Sequence, residues 1–167
     1  MIRSKAIASW QWAALILLRV IIGWHFLYEG IAKLFNPYWS SAPYLVEAKW
    51  FLSNIFTMIV TNPQWLKVVD ILNISGQIAI GLGLMIGFLT TPACIAGLIL
   101  LALYYLANPP LVGFKSSMPV EGSYLIVNKN LVEFASLLVL SLFPTGRVAG
   151  LDRLVFGPLK SQVSKEG

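Results

Sequence analysis

The stretch from Trp10 to Phe35 is long and apolar enough to cross a bilayer, yet it carries Arg19, His25, Glu29 and Lys33. An ionised side chain at the centre of a membrane helix costs roughly 2.5–3.5 kcal/mol on insertion scales, so such residues face a bundle interior or a cavity. With about 100° of rotation per residue, the four side chains fall within an arc of roughly 120°. Gly23, Phe26 and Gly30 lie on or beside that arc. Leu17, Ile21, Tyr28 and Ile31 form the opposite face, suited to lipid or to neighbouring helices. A chain built this way is constrained to bury one polar stripe of its first helix.

Composition supports a membrane environment. The 167 residues are 57% hydrophobic and 11% charged, with a mean hydropathy of +0.76; a soluble domain carries about 25% charged residues. The expectation is a single membrane domain, residues 1–167, in a lipid bilayer. The net charge of +5 does not point to nucleic acid, because the basic residues are scattered or gathered at the C-terminus, as the positive-inside rule would place them. The single cysteine, Cys94, can form neither an intrachain disulfide nor a CxxC centre. Arg3 and Lys5 precede the first span without a small-residue cleavage site, which reads as a retained signal anchor.

Four segments are long enough to span: about 10–35, 69–89, 91–107 and 123–143. The second and third should form a tight hairpin through Phe88–Pro92, with Pro92 in the first turn of the third helix. Between the first two spans, about 41–60, Leu45, Ala48, Phe51, Leu52, Ile55, Phe56 and Ile59 share one helical face. This predicts an interfacial amphipathic helix. The predicted fold is therefore an all-α four-transmembrane-helix bundle with one additional interfacial helix. Lys and Arg counts put both termini in the cytoplasm, which implies a multi-pass protein of the cytoplasmic (inner) membrane.

The second span repeats the pattern of the first, with Asp70, Asn73, Gln77 and Gly81 within about 80° of one another. Asp70 can simply be solvated. Asn73 and Gln77 can be glue between helices or can meet the charged face of the first span. Glu29 and Lys33 have the spacing of an ion pair, and Arg19 needs its own acceptor, either Glu133 or a bound anion. The start of the last span is open. Asn130 and Glu133 have capping-box spacing, but a helix from Ser123 would place Lys129, Glu133 and Ser136 on one inward face. A lone histidine offers neither bis-histidine haem ligation nor a zinc site, so no haem, flavin or metal is expected. His25 can serve as a hydrogen-bond partner or exchange protons.

The first span reads Arg19-x3-Gly23-x2-Phe26-x3-Gly30-x2-Lys33, and the second Gln77-x3-Gly81-x5-Gly87. These motifs resemble the signature of the DoxX-like family of small four-helix membrane proteins, with Gln77 where that family often has glutamate. Asn73-x2-Gly76 and the runs Tyr124–Glu133 and Pro144–Arg153 are similar to the DoxD-like branch, the membrane subunits of thiosulfate:quinone oxidoreductase. The resemblance implies a quinone-linked sulfur oxidoreductase, with quinone as a substrate and a partner protein subunit. In that reading Arg19, Lys33, Asn73, Gln77 and Glu133 line one pocket open to the outer leaflet, binding a sulfur oxyanion or a quinone. Glu29 and His25 move protons. The chain has no CxxC, haem pair or flavin motif, so electrons pass directly from substrate to quinone or through the partner. The alternative is a non-catalytic scaffold that docks a partner protein.

Overall fold

The computed structural model describes residues 8–48, 53–108 and 126–158. These form α1 (Ser9–Leu34), α2 (Ala42–Val46), α3 (Ser53–Thr61), α4 (Pro63–Ile86), α5 (Thr90–Ala107), α6 (Lys129–Leu142), α7 (Thr145–Val148) and α8 (Asp152–Phe156). The core draws on four of them: Ile22 and Phe26 of α1, Ile80 and Leu84 of α4, Cys94 and Leu101 of α5, Leu137 and Leu140 of α6.

Among the described residues, α1, α4 and α5 are long and apolar enough to cross a membrane. The fourth expected span is shorter than predicted. With 14 residues, α6 reaches about 21 Å, against a hydrocarbon core of about 30 Å. It starts where it does because Asn128 caps it, accepting from the Leu131 amide at 3.0 Å. The capping residue is thus Asn128, so the helix starts at neither the Asn130 cap nor the Ser123 start that the sequence left open. The second span begins at Pro63 rather than near 69. Asn62 accepts from the Gln64 and Trp65 amides, and Pro63 occupies the first turn, where its missing N–H costs nothing.

The segment expected as one interfacial helix contains two, α2 and α3; residues 49–52, which include Phe51 and Leu52, lie outside the described residues. Leu45 and Ala48 are buried, but Ile55 and Met58 of α3 are exposed. The hairpin is as expected. Gly87 closes α4 in the left-handed conformation at φ 68°, and Pro92 stands in the first turn of α5.

Close approach of α1 and α4 depends on glycine. A Cβ on Gly81 would lie 2.7 Å from the Leu27 Cα, and one on Gly23 would lie 2.9 Å from the Leu84 Cβ. The buried residues of α1 are Arg19, Ile22, Gly23, Phe26 and Gly30. Four of these are the spaced motif residues of the first span, so that motif is in large part the helix–helix seam.

Candidate functional site

The inward stripe of α1 divides into two polar clusters at opposite ends of the bundle. Arg19 and Lys33 are separated by about 21 Å along the helix, and among the described residues they have no partner in common.

At the Lys33 end, the ammonium donates to Gln77 Oε1 at 2.8 Å and to Asn73 Oδ1 at 3.3 Å. Glu29 Oε2 lies at 3.8 Å. The Trp39 and Tyr104 rings approach with centroids 5.1 and 5.7 Å from the ammonium, within cation–π range. Asn73 and Gln77 therefore meet the charged face of the first helix, one of the two roles open to them in the sequence. Glu29 is also 3.7 Å from His25 Nε2 and 3.9 Å from Lys129 Nζ. The other histidine nitrogen, Nδ1, contacts Glu133 on α6. Imidazole thus bridges two carboxylates. The side chains grow less exposed along the series, from 38% at Glu29 through 32% at His25 to 13% at Glu133.

Residues outside the expected set complete this cluster. Asn73 Nδ2 donates to the Tyr104 hydroxyl at 2.5 Å. Tyr44 donates its hydroxyl to the Tyr104 carbonyl at 2.7 Å. Burial pushes the Tyr44 phenol up to about 12, against the smaller opposing effect of Asn108, so this donor keeps its proton. Asp70 is not merely solvated. It accepts from the Ser40 hydroxyl at 2.9 Å, the Ser41 amide at 2.8 Å and the Ser41 hydroxyl at 2.5 Å, tying the chain after α1 to α4. Nothing in the spacing of Tyr104, fifteen residues into α5, marks it out from the apolar residues around it.

At the other end, Arg19 is 2% exposed. It donates to the Ala149 carbonyl at 2.6 Å and to the Thr145 hydroxyl at 3.4 Å, and its Nε has no partner among the described residues. Its acceptors are thus the C-terminal segment rather than Glu133, which is engaged by His25. Asp152 accepts from the Leu89 amide at 2.7 Å, the Thr90 amide at 2.9 Å and the Thr90 hydroxyl at 2.6 Å. That carboxylate holds Leu89, whose φ of 48° is left-handed, and caps α5. Burial alone would raise the Asp152 carboxyl. The Thr90 hydroxyl and amide, the Leu89 amide and the Arg19 charge together hold it below the usual carboxylate range. This end reads as a structural joint of α1, the α4–α5 turn and α7–α8.

The DoxX family model matches residues 14–108, spanning most of α1 and all of α2 to α5. No curated protein and no solved structure shows significant similarity to the chain. With more than half of its length matched, and with the motif residues of α1 and α4 packed into one glycine-lined seam, this chain belongs to the DoxX family of membrane proteins.

Proposed function

We propose that the chain is the membrane subunit of a quinone-linked sulfur oxidoreductase of the thiosulfate:quinone type. Its binding site for quinone or a sulfur oxyanion is the polar cluster at the Lys33 end, and a partner subunit supplies the redox centre or the sulfur chemistry. The reading is supported by the DoxD-like runs Tyr124–Glu133 and Pro144–Arg153. The observation that carries it is His25 in contact with both Glu29 and Glu133 inside a membrane bundle. Reduction of a quinone by two electrons takes up two protons. A histidine between two carboxylates can accept a proton from one and release it to the other. Glu29, the most exposed of the three, would exchange with water, and Glu133 would deliver inward. In this reading the protein lies in the cytoplasmic membrane with both termini inside, supported by the lysine and arginine distribution, and the cluster faces the outer leaflet.

Thiosulfate-dependent quinone reduction in membranes carrying the chain and its partner tests the reading. Glu133→Gln keeps the shape but removes the proton carrier, and should lower turnover by about 10²-fold or more without loss of assembled protein. Wild-type membranes that reduce no quinone with thiosulfate would leave the scaffold reading in its place. One observation favours that second reading: among the described residues, the partners of Arg19 are Thr145 and Ala149 of its own chain.

A further inference from the structure

We propose that the Tyr104 hydroxyl is the hydrogen-bond donor to a quinone carbonyl at the Lys33 end, aimed by the Lys33–Asn73 pair. This rests on the quinone reading above and deepens it by naming the residue that meets the ligand.

The argument begins with the direction of the protons. Lys33 can only donate, so the Asn73 atom facing it at 3.3 Å is the amide oxygen. That fixes the Asn73 nitrogen toward Tyr104, where it donates to the phenolic oxygen at 2.5 Å. With its oxygen accepting, the Tyr104 hydroxyl must direct its own hydrogen elsewhere. Among the described residues no acceptor takes it. The ring itself is fixed by its T-shaped contact with Tyr44, centroids 5.8 Å apart, and by the Tyr44 bond to its backbone carbonyl. The result is a donor held in place inside the bundle with its hydrogen unassigned.

Charge decides what kind of acceptor suits it. Lys33 is engaged by Gln77, Asn73 and Glu29. Glu29 also faces Lys129 and His25, and His25 contacts Glu133. Each cation of the cluster already has a carboxylate beside it, so an oxyanion would have to displace one of these partners and face two carboxylates. A neutral carbonyl needs only a neutral donor. The rings of Trp39 and Tyr104 beside Lys33, with Tyr44 packed on Tyr104, suit a flat conjugated ring.

The test uses the purified full-length chain and a decyl-substituted benzoquinone carrying one ¹³C-labelled carbonyl. Binding is followed by quenching of tryptophan fluorescence, and the carbonyl stretch by infrared difference spectroscopy. Wild type should bind saturably with the labelled carbonyl shifted to lower frequency. Tyr104→Phe should abolish that shift and weaken binding about tenfold, the loss of one net hydrogen bond. A shift that persists unchanged in Tyr104→Phe would overturn the role of Tyr104 and leave the quinone reading standing. No saturable binding in wild type would overturn both. Should Tyr104→Phe fail to fold, Asn73→Leu frees the phenol from its aim while retaining it; an unaltered carbonyl frequency there would equally sink the proposal.

Discussion

Lys33 and Gln77 join α1 to α4 through a bond of 2.8 Å between ammonium and amide oxygen. Gln77 is 4% exposed, so this bond is made in an apolar surround where an unpaired donor is costly. The residue opens the Gln77-x3-Gly81-x5-Gly87 motif of the second long helix. Geometry explains how an amide serves there: the ammonium already has Glu29 at 3.8 Å, and a neutral acceptor completes its shell. Gln77→Leu should destabilise the bundle by about 1–3 kcal/mol, because it leaves the Lys33 donor short of its nearest acceptor. Gln77→Glu should retain stability by pairing directly with Lys33. Thermal unfolding in detergent checks both; equal losses in the two variants would contradict the account.

The α1–α4 seam gives a second prediction. Gly81→Ala would drive a methyl into the Leu27 backbone, and the helices must separate, at a cost of about 1–3 kcal/mol. Gly76 lies on the same helix with nothing within 4 Å of an added Cβ. Gly76→Ala should be neutral or stabilising by up to about 1 kcal/mol, from helix propensity. Paired unfolding curves should separate the two alanines clearly.

Asp152 predicts a dependence on acid. Its folded-state affinity for protons is lower than in the unfolded chain, where an aspartate titrates near about 3.9. Its stabilisation is therefore complete above that value and disappears as pH falls through the lower, folded-state value. Asp152→Asn should cost about 2–4 kcal/mol at neutral pH, since it weakens the α5 cap and removes the charge near buried Arg19. The variant should also show a shallower loss of stability between about pH 5 and pH 2 than the wild type. Parallel acid slopes in the two proteins would mean that another group carries the effect.

Topology is the fourth prediction. Cys94 is fully buried, so the wild-type background for thiol labelling is low. Tyr38 is 94% exposed and Leu154 80% exposed, and they follow the two opposite ends of the bundle. Tyr38→Cys should react with an impermeant maleimide in intact cells, and Leu154→Cys only after permeabilisation. The reverse pattern would invert the orientation drawn from the lysine and arginine distribution.

The sequence by itself determined the membrane class, the inward stripe of α1 and the α4–α5 hairpin, and it left Asn73 and Gln77 with two roles between which the Lys33 bonds decided. Each follows from local information: hydropathy over a helix length, rotation per residue, proline and glycine at a turn. Family membership was legible in the spaced glycines, because a glycine that admits a neighbouring backbone leaves a fixed interval along a helix. Tertiary structure gave Arg19 and Lys33 separate partners; the axial rise between them was already in the sequence, but an angular projection discards it. It also chose Glu133 for His25, Thr145 and Ala149 for Arg19, and Asp152 for Leu89 and Thr90. Those partners lie on elements distant in the chain, and no periodicity within one helix records which distant carboxylate or carbonyl will arrive. Tyr104 carries no mark in the sequence for the same reason: on α5 it stands beside Tyr105 among apolar residues, and only the Asn73 amide across the bundle gives its hydroxyl a direction.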